Sequence, residues 1–507
     1  MAESLRAERY FRVSREFSGQ STVRLNVLDA LQRDGFDAEE ADDGPERQPQ
    51  VQRGPMTLSQ DLLPVYNGKF GTAQAERLLW RAGFGPRPGE AEALAKRGLR
   101  GAVLSLTRPR TQALEGPPPV LENGQPIAPY DVWGNDVLWW LDRMVRSRAP
   151  LIERMTLTWH DWFATSNAGV NSQRLMINQN ETQRSLCLSS FPRMFTAMTT
   201  DPAMLLWLSL AGSTKAAPNE NYAREMQELF TLGVGNGYTE DDVREHSRAL
   251  TGWTYTWNQD TGEPEDFHFD AALHDDGIKV IYGHKGNFGW RDSLRLVLHN
   301  PDHPRYFVAK LWSYFSPQSL SRSDSRIAER MYVSSGKKIR PLVEAMLMHP
   351  LVHRGPRMVK PPIVQIAGML RGINRFIDTD VWAWESSLVG QMPFYPPNVA
   401  GWDATRWLNT ATWLARFNLT AAMIDKSREL DPGTAKVAAN PHLLTRQAID
   451  FWGKPTVSSP TVKALRAYAK SAGVDAATAT WERQQFPVLT LNALRALVAA
   501  SPDYHTC

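Results

Sequence analysis

A chain of 507 residues is longer than a single hydrophobic core usually grows, so two or three structural units, or one body with long decorations, are expected. Hydrophobic residues at 42% and charged residues at 22% exclude a disordered, collagenous or fibrous chain. The 57 Lys and Arg against 54 Asp and Glu leave a net charge of +3, too small for a dedicated nucleic-acid footprint, and Cys187 and Cys507 alone cannot build a disulfide framework.

The first residues carry acidic side chains and no apolar signal core, so the chain as written is expected to be cytoplasmic. Apolar runs such as Met204 to Leu208 are far too short to span a bilayer. Residues 32–54 are acidic, punctuated by Pro and Gly and almost free of large apolar side chains. Residues 1–55 are therefore expected to be an appendage and linker, and residues 56–507 a helical domain.

Ala75, Leu78, Leu79 and Ala82 fall at helical spacing before a Gly/Pro-rich stop at 83–89, and a second helix is expected near Glu90. After a Pro-rich stretch at 109–132, Val137, Leu138, Leu141, Met144 and Val145 form an apolar stripe, followed by helices bearing Trp159, Trp162 and Phe163. Further helices are predicted over 174–199, 219–232, 240–251, 291–299, 303–315, 324–332, 338–348, 361–374, 407–425, 442–451, 460–471 and 488–500. Trp402 and Trp407 are expected to fill the core of the carboxy-terminal half. Only 265–283 reads as extended. The predicted fold class is mainly α, a compact multi-helix body with one small β-hairpin or strand element near 265–283.

The chemistry-bearing residues concentrate in two places. On the 219–230 helix, Tyr222, Met226, Leu229 and Phe230 share an apolar face with Glu225 at its edge, and Glu228 follows three residues on. Both carboxylates could reach one cation; the same spacing also fits an ordinary charged helix flank. His246 shares a face with Val243, Ser247 and Leu250, as core histidines do. At 267–277, His268, Asp270, His274 and Asp275 place two imidazoles and two carboxylates within eight residues, a donor set suited to Zn, Mn or Fe, although no standard ligand spacing is matched. No Walker loop, dinucleotide fingerprint or nucleophile elbow occurs.

The segments RAGFGPRPGE at 81–90, ERMTLTWHDWFATS at 153–166, APNENYAREMQELFTLGVGNGYTEDDVREHSRALTGW at 217–253, HDDGIK at 274–279 and FYPPNVAGWDATRWLNTATWLARFN at 394–418 resemble the bacterial domain-of-unknown-function 1800 family. The likeness runs from about residue 70 to the SPDY at 501–504. It implies a mostly helical single unit without an assigned activity. Relatives that look exported and lie beside a sulfatase-like family, domain-of-unknown-function 1501, imply a protein partner of that kind. This chain departs from the pattern in lacking an export signal, in Trp162 where relatives often carry a His, and in His246 where a small residue is common.

The expected function is a metal-dependent enzyme acting on a small or anionic substrate, its site between the 219–230 helix and the 268–279 loop. Glu225, Glu228, His268, His274 and Asp275 are the candidate ligands of a divalent Zn, Mn, Fe or Mg ion. Glu225 and Glu228 double as candidate acid–base groups, and Arg224 and Lys279 would bind the substrate's negative charge. A scaffold or binding protein working with a partner is the main alternative, with NENYARE and YPPNVAGW as structural fasteners. A Mg-dependent diphosphate lyase, suggested by Asp241, Asp242 and Glu245, is the third.

Overall fold

The computed structural model describes residues 62–120, 124–125, 127, 132–424, 428–475 and 477–507. The expected appendage at 1–55 lies outside these residues.

One helix organises the rest. Pro150 opens it, because a missing N–H costs nothing in a first turn, and it runs Pro150–Trp162. Every residue except Asp161 is buried, so the helix has no solvent face and must be enclosed. The helices Gly98–Thr107, Asn135–Arg146 and Gln173–Leu186 pack on it. It feeds two large apolar clusters, giving Met155, Trp159 and Trp162 to one and Leu157 to the other. The first gathers Phe163, Phe191, Phe195, Phe230 and Phe307. The second joins Leu138, Leu141, Ile366, Leu370, Leu419 and Leu494.

The fold is mainly α, as expected. Among the described residues its strands form two antiparallel hairpins, β1 Trp253–Asn258 with β2 Glu263–Phe269, and β3 Lys279–Ile281 with β4 His284–Gly286. The small β element expected near 265–283 is thus present, spread over two hairpins. The first begins upstream, at the alternating aromatic and β-branched run from Trp253.

Several helix limits also move. The 174–199 helix is two, Gln173–Leu186 and Phe191–Thr199, because Pro192 belongs in a first turn and forces a new start after Ser190. The last long helix, Thr480–Ala499, passes through Pro487 instead of starting after it. Trp402 and Trp407 are only half-buried, which corrects the expectation of a core role. On the Thr410–Met423 helix the buried residues are Arg416, Leu419, Thr420 and Met423, while Leu414 is 60% exposed. Arg416 decides which face turns inward, since its guanidinium donates to the Lys360 carbonyl at 3.1 Å and to the Gln365 side chain. Among the described residues no helix is long and apolar enough to cross a membrane.

The enclosed helix carries charge into the core only with partners. Glu153, 3% exposed, accepts a forked bond from Arg184 (2.8 and 2.9 Å) and one from Trp140 Nε1 (3.1 Å). Removing one member of such a buried pair strands the other charge. Glu153→Gln should therefore lower stability by about 3–5 kcal/mol, read as a shift of the urea midpoint.

Candidate functional site

The 219–232 segment forms a short α-helix, Asn221–Glu225, that widens into a π-turn over Met226–Thr231. The widening is visible in Leu232 N–H, which reaches the Gln227 carbonyl five residues back at 2.9 Å, and in Thr231 Oγ1, which donates to the Met226 carbonyl at 2.6 Å. Arg224 is occupied by three carboxylates, Glu240 at 2.8 Å, Glu220 at 3.2 Å and Glu228 at 3.5 Å. Glu225 is half-buried and makes no hydrogen bond or ion pair; burial, then the charge of Glu228, raises its pKa.

Asp275 lies elsewhere. It accepts a fork from Arg248 (2.7 and 3.2 Å) and the Gly277 N–H at 2.9 Å. Lys279, fully buried, donates to the carbonyls of Asp275 and Gly277, and burial lowers its pKa. His274 Nδ1 donates to the Thr251 carbonyl at 2.9 Å, and His268 sits exposed on β2 with Nδ1 donating to the Asp266 carbonyl at 2.7 Å.

These residues do not form one group. Among the described residues no three His, Cys, Asp or Glu side chains converge to hold a metal ion. The reason lies in the Glu240–Ala249 helix. Arg224 and Glu228 pair at its first turn through Glu240, whereas Asp275 pairs at its last turn through Arg248, eight residues and about 12 Å further along. Glu228 and Asp275 are each already balanced by a guanidinium. The acids of the lyase motif are engaged too, Asp242 capping its own helix and the Tyr282 N–H, Glu245 bonding Arg248 and the Val280 N–H.

A different constellation does converge, where the Pro150–Trp162 helix ends beside the π-turn. The indole of Trp162 donates to the Phe230 carbonyl at 3.1 Å. Around its ring stand Lys310, with Nζ 4.6 Å from the centroid, Tyr306 at 6.4 Å and Tyr314 at 6.5 Å. The Leu229 carbonyl accepts both the Tyr306 hydroxyl (2.6 Å) and Lys310 Nζ (2.8 Å). Next to them, Asp161 accepts the Tyr314 hydroxyl at 2.6 Å and the Trp402 N–H at 2.9 Å. Gly401, at φ +84°, packs so closely that a Cβ there would overlap Asp161. The loop carrying both residues is also held by Phe394 N–H donating to His160 Nε2 at 3.0 Å.

Asp161, Tyr306, Lys310, Tyr314 and Trp402 all keep partial exposure, so the cluster borders solvent beside the buried Trp162, the place called the crevice below. Burial lowers the Lys310 amine to about 8, with Asp161 acting against the shift. Burial raises the Asp161 carboxyl despite its two hydrogen bonds and the cations nearby, and burial together with Asp161 pushes the Tyr314 phenol far up. Perturbed groups that act on one another in one place make this cluster the candidate site.

The cluster was hidden in the sequence. Asp161 stands inside the quoted WHDWF segment and Trp402 inside YPPNVAGW, but no spacing joins segments 240 residues apart. The one local signal is a carboxylate wedged among Trp159, His160, Trp162 and Phe163.

An indentation of about 270 Å³ lies between Glu76, Arg77 and Trp80 and the carboxy-terminal residues Asp503 and Cys507, away from this cluster. Its polar groups are occupied with each other. Glu76 accepts from Thr456, Asp503 from Ser458 and Arg357, and Lys360 donates to the Tyr504 carbonyl.

The family model described as Protein of unknown function (DUF1800) matches residues 77–506, which include the whole crevice. No curated protein and no solved structure matches the chain.

Two measurements check the site's electrostatics. In the nuclear magnetic resonance titration of reductively methylated protein, Lys310 should titrate near 8, and Asp161→Asn should move it lower, since the lost negative charge favoured the protonated amine. Gly401→Ala should cost at least about 1 kcal/mol, from its left-handed backbone alone, and more from the clash with Asp161.

Proposed function

The chain belongs to the family described as Protein of unknown function (DUF1800), and on that premise we propose that it is an enzyme acting on a small anionic substrate in the crevice over Trp162. The observation that carries the reading is the meeting of Lys310, Tyr306 and the Asp161–Tyr314 pair around one buried indole, each of the four keeping partial exposure. In its neutral form the Lys310 amine has a lone pair to accept a proton, while Leu229 O holds its position. Tyr314 keeps its proton and donates it in a hydrogen bond to Asp161, which leaves the phenol oxygen free to accept a hydrogen bond from a bound hydroxyl. The metal-bound form of the reading, on Glu225, Glu228, His268, His274 and Asp275, has less support, because Glu228 and Asp275 are paired at opposite ends of one helix.

A scaffold working with a protein partner is favoured by a separate observation. The Val381–Leu388 and Thr410–Met423 helices pack on each other and expose Trp384, Leu388, Trp413, Leu414 and Phe417, with Trp133 stacked 4.3 Å from Trp384. The partner that the family likeness implies is a protein of the sulfatase-like domain-of-unknown-function 1501 family.

A thermal-shift screen of small carboxylates and phosphate esters, followed by turnover assays on the hits, separates the two. The enzyme reading expects conversion that rises with pH to a midpoint near 8 and falls by about 100-fold or more in Lys310→Met. The fold should survive that change, since Tyr306 still satisfies Leu229 O. A folded protein with no convertible hit, whose partner capture is lost in Trp384→Ser/Leu414→Ser, would make the scaffold reading the better one.

A further inference from the structure

Two lysines of the fold share one kind of environment. Lys310 Nζ donates to the Leu229 carbonyl at 2.8 Å and stands 4.6 Å from the centroid of the Trp162 ring. Lys360 Nζ donates to the Tyr504 carbonyl at 2.7 Å and stands 3.5 Å from the centroid of the Trp80 ring. A carbonyl oxygen and an aromatic face thus meet each amine, and neither forms an ion pair with a described residue. Burial draws both groups down to about 8.

The two differ in access. Lys360 is 3% exposed and closed in, as a structural lysine is. Lys310 keeps partial exposure at the crevice, where Asp161 is the charge that acts on it. Nor does the backbone depend on this amine, because the Tyr306 hydroxyl already satisfies Leu229 O at 2.6 Å. Apart from that carbonyl, Lys310 Nζ has no hydrogen-bond partner among the described residues. An amine that solvent reaches, that is held in place by one neutral oxygen and that has no carboxylate paired to it keeps a lone pair for chemistry. Desolvation of this kind is a recognised way of activating a lysine toward carbonyl carbons.

We propose that Lys310 is a nucleophile that forms an imine with a small aldehyde or ketone in the crevice. The nitrogen lone pair bonds to the carbonyl carbon while the π pair of the C=O moves to oxygen. Both hydrogens of the neutral amine then leave with that oxygen as water, and the C=N bond closes. Leu229 O keeps the Tyr306 hydroxyl throughout. The inference rests on the crevice being a substrate site, as argued above, and adds the substrate class and the bond that the amine makes.

The test treats the full chain with glyoxylate and sodium cyanoborohydride, which reduces an imine to a stable secondary amine, and reads the modification of each lysine by peptide mass spectrometry. At pH 7 an amine of pKa about 8 is about one-tenth neutral, against about one part in 2,500 for an ordinary lysine, so Lys310 should react at least about 10-fold faster than the exposed Lys285. The ratio of the two rates should fall as the pH rises through 8, where Lys310 becomes fully neutral and Lys285 does not. Lys360 should stay unmodified in the native protein, because the same surroundings are sealed there. Lys310→Arg should remove the fast site and leave the Lys285 rate as it was. A Lys310 rate no higher than that of Lys285, a ratio that stays flat with pH, or a Lys360 that reacts as fast as Lys310 overturns the proposal. Failure of the acid–base reading is seen separately: turnover is then absent while the fast imine at Lys310 persists. Turnover with a midpoint near 8 and no fast imine keeps that reading and overturns this one.

Discussion

A helix that ends inside a protein must find donors for its last carbonyls, and the structure around the crevice answers that demand. The Asn221–Thr231 segment ends against the core, with Phe230 and Thr231 buried and Leu229 partly so, which leaves its last carbonyls in need of donors. Four side chains supply them: Tyr306 and Lys310 on Leu229 O, Trp162 on Phe230 O, and His303 Nδ1 on Thr231 O at 3.1 Å. The π-turn shifts the hydrogen-bond register by one residue and so changes which carbonyls remain open. Two of the four donors, Tyr306 and Lys310, are a phenol and an amine that line the crevice. A backbone requirement has thus brought an amine into a place where its proton is weakly held.

The same requirement binds distant parts of the chain to one site. Trp162 belongs to the enclosed helix, Lys310 to His303–Ser313, and Trp402 and Gly401 to a loop that follows Phe394. Phe394 N–H on His160 and Trp402 N–H on Asp161 fix that loop to consecutive residues of the enclosed helix. Burial pushes His160 down to about 3, so the ring stays neutral and able to accept. Asp161 then faces Tyr314, Lys310 and Arg154 from a rigid backbone, the condition under which electrostatic preorganisation is effective.

Much of this organisation was legible in the sequence. Helical periodicity placed the segments ending near Met348, Gly372 and Phe451 within a few residues, and the quoted motifs identified the family. What escaped detection has physical causes. Pro487 reads as a helix start, yet Leu491 and Leu494 beyond it are buried in the second apolar cluster, and packing carries the helix through. Trp402 and Trp407 read as core residues but are only half-buried, and on the helix that follows Leu414 and Phe417 face outward while Arg416 takes the buried side. The crevice could not be seen because its members are separated in sequence and related only by backbone carbonyls, which carry no residue identity. Among the residues singled out as metal ligands or catalytic groups, Arg224, Glu228, Lys279 and Asp275 are engaged in ion pairs and hydrogen bonds within the chain. They interact with one another's helices and loops.

The long 217–253 motif consequently divides into two kinds of work. Its first half is a fastener: Arg224 holds Glu220, Glu228 and Glu240 together and locks the short helix to the next one. Its last turn, Glu228 to Thr231, supplies the carbonyls on which the crevice is built. A scaffold needs only the first half, since a guanidinium network on a half-exposed surface is enough to hold two helices in register. It does not need an amine and a phenol directed at a carbonyl beside a buried aspartate, where a Gln or Asn amide would satisfy the same oxygen without desolvating a charge. The groups that a scaffold would be better without are the ones gathered around Trp162, and that charge is what favours the proposed chemical role over the scaffold.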